Sequence, residues 1–188
     1  MRKDIMVDIE TSGNETSSTI FQVAAVSFDI KTGKVFSKFN RIADIEENDV
    51  LDVTGSTLKW WLKTNKELLA ELLFKGEGSS EDLLTDFHDW LNKQHDGNGE
   101  VYLWGNGILF DNKMIQHQLN EAGLDYPVFY RNDRDVRTIV DLASVKLGMT
   151  EKELKETYND ESLIAHDAFD DVLYQVRLVT GCYNELIK

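Results

Sequence analysis

Asp4-Ile5-Met6-Val7-Asp8-Ile9-Glu10-Thr11-Ser12-Gly13 is the stretch on which the fold turns. Ile5, Val7 and Ile9 alternate with Met6 and Asp8, the period of two that marks a strand over residues 4–9. Asp8 and Glu10 stand two residues apart, so their carboxylates point to one face of that strand. An acid between Val7 and Ile9 in a buried strand costs several kcal/mol unless it is paired or holds a metal ion. No lysine or arginine alternates with the two acids to supply that pairing. In a chain with 34 acidic residues an acid-x-acid pair also arises by chance, so this one needs further support.

Outward from this strand the pattern continues as a meander. Residues 20–29 (Ile20, Val23, Val26, Phe28) read as a second strand, and Thr32-Gly33 turn the chain into a third over 34–42. Leucine and tryptophan at helical spacing predict a helix over 56–74, and Ser79 or Ser80 opens another over 80–94. After an Asp96-Gly97-Asn98-Gly99 turn comes a short strand, Val101 to Trp104, then a helix over 110–122 ending at Gly123. A fifth strand is expected near Val128–Tyr130. Helices follow over 136–147 and 165–180, stopped by Gly148 and Gly181. Strands first, then alternating helix and strand, predict an α/β fold with a mixed five-stranded sheet and helices packed on it.

Composition narrows the setting. The 188 residues fit a single domain, 1–188, and 41% hydrophobic residues exclude global disorder. One cysteine, Cys182, forbids an internal disulfide and reads as a small buried hydrophobe, which suits a reducing, cytoplasmic compartment. No apolar run is long enough to span a membrane, and Met1-Arg2-Lys3-Asp4 leads into the strand with no secretion signal. A net charge of −14 excludes nucleic-acid binding by bulk attraction, so a polyanionic partner needs local help.

Two more segments carry chemistry. Asp111 follows Trp104-Gly105-Asn106-Gly107, where glycines permit close backbone approach; it is also an acid at a helix start, favoured by the dipole. His166 stands five residues before Asp171, at the entry to the last helix, and an imidazole suits proton transfer near neutrality. Four carboxylates brought together raise one another's pKa unless divalent cations hold them ionised. Hard oxygen ligands favour Mg²⁺ or Mn²⁺, and two such ions can clamp a phosphodiester displacement.

In this order the residues resemble the DEDD exonuclease superfamily in its DEDDh branch. Asp8-Ile9-Glu10-Thr11-Ser12-Gly13 matches the first motif, Asp111 the second, and His166 with Asp171 the third. A tyrosine four residues before the last aspartate would mark the sister branch, but position 167 is Asp. Thr57-Leu58-Lys59-Trp60-Trp61, Trp104-Gly105-Asn106-Gly107 and Arg131 through Thr138 are similar to the phage DexA and exodeoxyribonuclease VIII group. The resemblance implies a ribonuclease H-like fold, two Mg²⁺ or Mn²⁺ ions, and release of nucleoside 5′-monophosphates from nucleic acid with a free 3′ end. It makes Asp8, Glu10, Asp111 and Asp171 the metal ligands and His166 the general base. The subgroup leans toward single-stranded DNA, while some relatives trim RNA.

Around that set, Thr11, Ser12 and Asn106 are candidates to hydrogen-bond the last nucleotide. Trp60 and Trp61 point about 100° apart on a helix. Trp61 joins the Leu58–Leu62 stripe, whereas Trp60 falls outside it, free to pack or to stack on a terminal base. Arg134 and Arg137 either reach phosphate or base or pair with Asp133 and Asp135. Residues 151–171 hold eight acids and two lysines and read as a solvated face or mobile loop before His166. His88, His95 and His117 read as structural. The rival expectations are a polymerase proofreading subunit and a non-catalytic acidic module that binds divalent ions or a protein. A monomer and a homodimer are both open.

Overall fold

The computed structural model describes residues 2–95 and 100–188, so the expected Asp96–Gly99 turn lies outside the described residues. Strands β1 (Lys3–Thr11), β2 (Ile20–Phe28) and β3 (Val35–Ile42) form the antiparallel meander. Helices α1 (Gly55–Thr64), α2 (Lys66–Lys75) and α3 (Ser80–Lys93) follow. Then β4 (Val101–Gly105), α4 (Asp111–Glu121), β5 (Asp133–Asp135), α5 (Val136–Leu147), α6 (Glu151–Thr157) and α7 (Ala168–Ile187) complete the order. The sheet runs β3-β2-β1-β4-β5, with β4 parallel to β1 and β5 parallel to β4. This is the mixed five-stranded sheet expected.

The period-two pattern of β1 decides which helices cover which face. Ile5, Val7 and Ile9 enter one core, closed by Leu83, Phe87 and Leu91 of α3 and by Met114, Ile115 and Leu119 of α4. Met6 enters the other, with Trp104, Val136 and Val140 of α5 and Val172, Val176 and Val179 of α7. Asp8 and Glu10 share the face of Met6, which brings α7 to them. Because β1 and β4 are parallel, their C-terminal ends meet at one edge of the sheet, the usual place for a site in open α/β folds. A third cluster, Phe21, Trp61, Leu68, Leu69 and Leu72, seats α1 and α2 beside that edge.

Several boundaries differ from expectation for local reasons. The 56–74 helix is two helices, because Asn65 leaves helical geometry and its side chain caps α2 by accepting from the Leu68 N–H. Leu58 and Leu62 are exposed rather than part of a core stripe. The fifth strand is Asp133–Asp135, not Val128–Tyr130; Val128 is a core residue without being a strand. α6 forms inside the acidic 151–171 run, opened by a Thr150–Glu153 capping box. α7 begins at Ala168 and passes through Gly181 instead of stopping there. Glycine at 181 leaves room for the Tyr158 ring, which any Cβ would meet. Gly148, in contrast, ends α5 with a left-handed φ of 66°. Cys182 is buried on α7, and burial pushes its thiol up to about 11.

Candidate active site

Three carboxylates converge where β1 meets α7. Asp8, Glu10 and Asp171 each offer an oxygen, and these oxygens all lie within 4.8 Å of one another. Asp8 and Glu10 come from alternate positions of β1, and Asp171 from the first turn of α7. Asp111, the first residue of α4, sits beside them at the end of β4 with 4% of its surface exposed. Gly105 makes this approach possible. A Cβ there would stand 2.5 Å from Asn112 Oδ1 and 3.3 Å from a carboxylate oxygen of Asp111.

The electrostatics follow from that crowding. Burial, and then repulsion from Asp111 and Asp171, pushes Asp8 well above the usual carboxylate range. Burial does the same to Glu10, reinforced by Asp8, Asp171 and Asp111. Burial raises Asp111 to about 7, against the pull of its own and the Ile9 backbone N–H groups and of Arg137. Burial raises Asp171, partly offset by the N–H of His166. Among the described residues, no lysine or arginine forms an ion pair with any of the four. Negative charge gathered in this way, on hard oxygen donors without a basic partner, fits divalent cations.

His166 is brought to the same place by an unusual backbone. Its φ of 70° makes it the only non-glycine residue in the left-handed region among those described. Its N–H donates to Asp171 Oδ2 at 3.1 Å, and Asp167 next to it caps α7 by accepting from Phe169 and Asp170. The imidazole meets Trp60 edge-on, with ring centroids 4.8 Å apart.

Beside Glu10 a cleft of about 450 Å³ opens between β1 and α1, lined by Ile9, Thr11, Asn14, Thr57, Trp60 and Phe110 among others. Thr11 lines it, although its hydroxyl donates to the Gly13 carbonyl at 2.6 Å. Trp60 is 42% exposed there, whereas Trp61 is 2% exposed and anchored by its Nε1–H on the Thr11 carbonyl at 3.1 Å. Asn106 is exposed on the turn after β4, and Arg137 packs its guanidinium against Gly107 nearby.

Two of the residues expected to contact the nucleotide have other partners in the structure. Ser12 is turned inward, donating to the Asp52 carbonyl at 2.6 Å and holding the loop that supports α1. Arg134 lies 4.5 Å over the Tyr102 ring, and Tyr102 pairs with Asp4 at the opposite end of β1 from Asp8. Arg134 thus ends on Tyr102 from β5, while Arg137 lies on α5 beside Gly107.

The structure also adds two residues. Gln175 Nε2 donates to Asp8 Oδ1 at 2.7 Å, while its own buried Oε1 has no partner. Gln22, fully buried on β2, accepts from the Ala168 N–H and so pins the start of α7. Gln175 was accessible from spacing, one helical turn beyond Asp171; nothing in the sequence marks Gln22. Of the other histidines, His95 is hydrogen-bonded to the Pro127 carbonyl at 2.8 Å and His88 to Asp125 at 3.3 Å.

The sheet order defines the class, an α/β fold of the ribonuclease H-like kind. Residues 3–183 match the family described as 3′-5′ exoribonuclease Rv2179c-like domain. The chain belongs to that family and is a 3′→5′ exonuclease domain. Solved structures agree in fold. Cell-death related nuclease 4 (CRN-4) is 17% identical at a TM-score of 0.68, over 97% of this chain and 64% of its own. The nuclease domain of 3′hExo, a DEDDh family member bound to rAMP, is 14% identical at 0.64, over 97% and 92%. Exonuclease I from Methylocaldum szegediense is 19% identical at 0.68, over 95% of this chain but 40% of its own, so the present chain spans less than half of that enzyme. No curated protein matches the sequence.

Proposed function

We propose that residues 1–188 form one metal-dependent exonuclease domain that removes nucleoside 5′-monophosphates from the 3′ ends of single strands. The observation that carries this reading is the meeting of Asp8, Glu10 and Asp171 within 4.8 Å, beside a cleft large enough for a nucleoside. Asp8, Glu10, Asp171 and Asp111 would hold one or two Mg²⁺ or Mn²⁺ ions. When bound, such ions neutralise phosphate charge and make water more acidic. The chain's own groups do the rest. His166 accepts the proton of the attacking water at an imidazole nitrogen. Gln175 holds Asp8 through Oδ1, which fixes the direction of Oδ2. The terminal nucleoside occupies the cleft beside Glu10, with Thr11 and Trp60 on its walls. Asn106 and Arg137 stand on the side of β4, where the phosphate of the preceding nucleotide would pass.

Single-stranded DNA is the substrate favoured by the likeness of the Thr57–Trp61, Trp104–Gly107 and Arg131–Thr138 blocks to the DexA and exodeoxyribonuclease VIII group. The family description favours a second reading, RNA 3′ ends. The single cysteine suits a reducing cytoplasmic setting.

One gel tests both substrates. Purified protein is incubated with 5′-labelled single-stranded DNA, duplex DNA and RNA in Mg²⁺, Mn²⁺ or EDTA, with Asp171→Ala and His166→Ala beside it. A ladder shortening from the 3′ end, absent in EDTA and in Asp171→Ala, is the expected result. Cleavage that persists in EDTA, or in both variants, overturns the reading. The faster-shortened polymer identifies the sugar.

A further inference from the structure

Trp60 and His166 are distant in sequence, yet their rings meet edge to face, with centroids 4.8 Å apart and planes at 81°. That geometry is the favourable one for aromatic pairs. The indole is itself braced: Trp60 meets Trp61 at 5.1 Å in the same edge-on manner. Trp61 is buried against Phe21 and hydrogen-bonded to the Thr11 carbonyl, one residue from Glu10. The indole and the acid-bearing strand thus share one scaffold.

His166 needs such a brace. Its left-handed backbone costs free energy and persists only where the surroundings hold it. The bond from its N–H to Asp171 fixes the backbone but leaves the side chain free to turn. Among the described residues the imidazole makes no hydrogen bond, and its aromatic neighbours are Trp60 and, at 6.4 Å, Trp61. We propose that Trp60 is a positioning residue for His166, its indole setting the direction of the imidazole beside Asp171. Its part in the reaction is this contact rather than a stacking surface for the nucleotide. The inference rests on the reading of His166 as the proton acceptor.

The test is a double-mutant cycle with a structural readout beside it. Trp60→Leu keeps apolar bulk and removes the ring. It is expected to lower kcat on a 5′-labelled oligonucleotide about tenfold with KM held, and Trp60→Phe to restore most of the loss. In a His166→Ala background Trp60→Leu has no further effect. In metal-free protein with ¹³C-labelled histidine, the ring proton signal lost in His166→Ala moves in Trp60→Leu, while those of His88, His95 and His117 stay. Trp60→Met repeats both arms if the leucine variant unfolds. A rise in KM with kcat unchanged overturns the proposal, as does an equal loss of kcat in the His166→Ala background. An unmoved His166 signal does so whether or not the wild-type protein cleaves. Absence of cleavage by the wild type, with the signal moved, sinks the nuclease reading alone.

Discussion

Replacing Asp111 by asparagine is expected to make the metal-free protein more stable while it removes a proposed ligand. Burial raises the Asp111 carboxyl from 3.8 to about 7 in the folded chain. A raised carboxylate gives stability that is complete below the unfolded value and lost as pH climbs toward the folded one. At about 1.4 kcal/mol per tenfold of proton activity, holding Asp111 ionised at pH 8 costs the folded state about 4 kcal/mol. Asparagine carries no charge and its Oδ1 still accepts from the same backbone N–H groups. It gives up an ionised group at the start of α4, worth at most about 1 kcal/mol. The net gain is about 3 kcal/mol, or a melting point higher by about 6 to 12 °C for a chain of this size. Thermal unfolding in EDTA at pH 8 reads it directly. At pH 5 the folded carboxyl keeps its proton and the gain shrinks to about half or less. Equal melting points at pH 8, or the same shift at both pH values, would refute the electrostatic reasoning. Greater stability with loss of cleavage is the trade a strained functional site predicts.

Adding Mg²⁺ or Mn²⁺ to metal-free protein should raise its stability by about 2.7 kcal/mol at a hundredfold excess over Kd, and Asp171→Asn should abolish the rise. Calorimetry of that binding in buffers of different ionisation enthalpy should show proton release, because raised carboxyls give up protons to the ion. Gln175→Met should lower kcat about tenfold, since Asp8 loses its tether. Its melting point should hold, because the unpartnered Gln175 Oε1 is removed together with the bond; undiminished kcat would take Gln175 out of the site. Lys63→Glu should raise KM several-fold at low salt and much less at high salt, and an effect indifferent to salt would exclude a phosphate contact.

The strand β1 and its acids were legible because a buried carboxylate is a contradiction that only a partner or an ion resolves. Period-two alternation around Asp8 states that contradiction in the sequence itself. Gln22 carries no such signal, since an amide in a core is neutral, and Gln175 is marked only by its spacing one helical turn beyond Asp171. β5 leaves no apolar alternation in the sequence, because Asp133 and Asp135 serve local bonds rather than burial. Asp133 Oδ1 accepts from Asn112 and Tyr126, and Asp135 caps α5. The break at Asn65 and the start of α6 at Thr150 were written as caps, but leucine periodicity and acid count drew attention from them. Gly181 misled for the opposite reason: its missing side chain serves a neighbour's ring, not a turn.

Net charge is the remaining tension, since an enzyme at −14 must draw in a polyanion. Part of the chain's acidity, Glu151, Glu153, Glu156 and Glu161, lies exposed on α6 and the segment after it. α1 and its flanks, Val53 to Asn65, carry Lys59 and Lys63 and no acid, and α1 walls the cleft through Ser56, Thr57 and Trp60. Lys63 lies three residues beyond Trp60 on that helix, the spacing of side-chain neighbours. Arg137 stands across the site beside Gly107. On the proposed reading, a strand approaching the carboxylates would pass between one basic helix and one arginine. Such a short electrostatic path would hold a few phosphates at a time, and with so few contacts release after each cleavage would compete with advance along the strand.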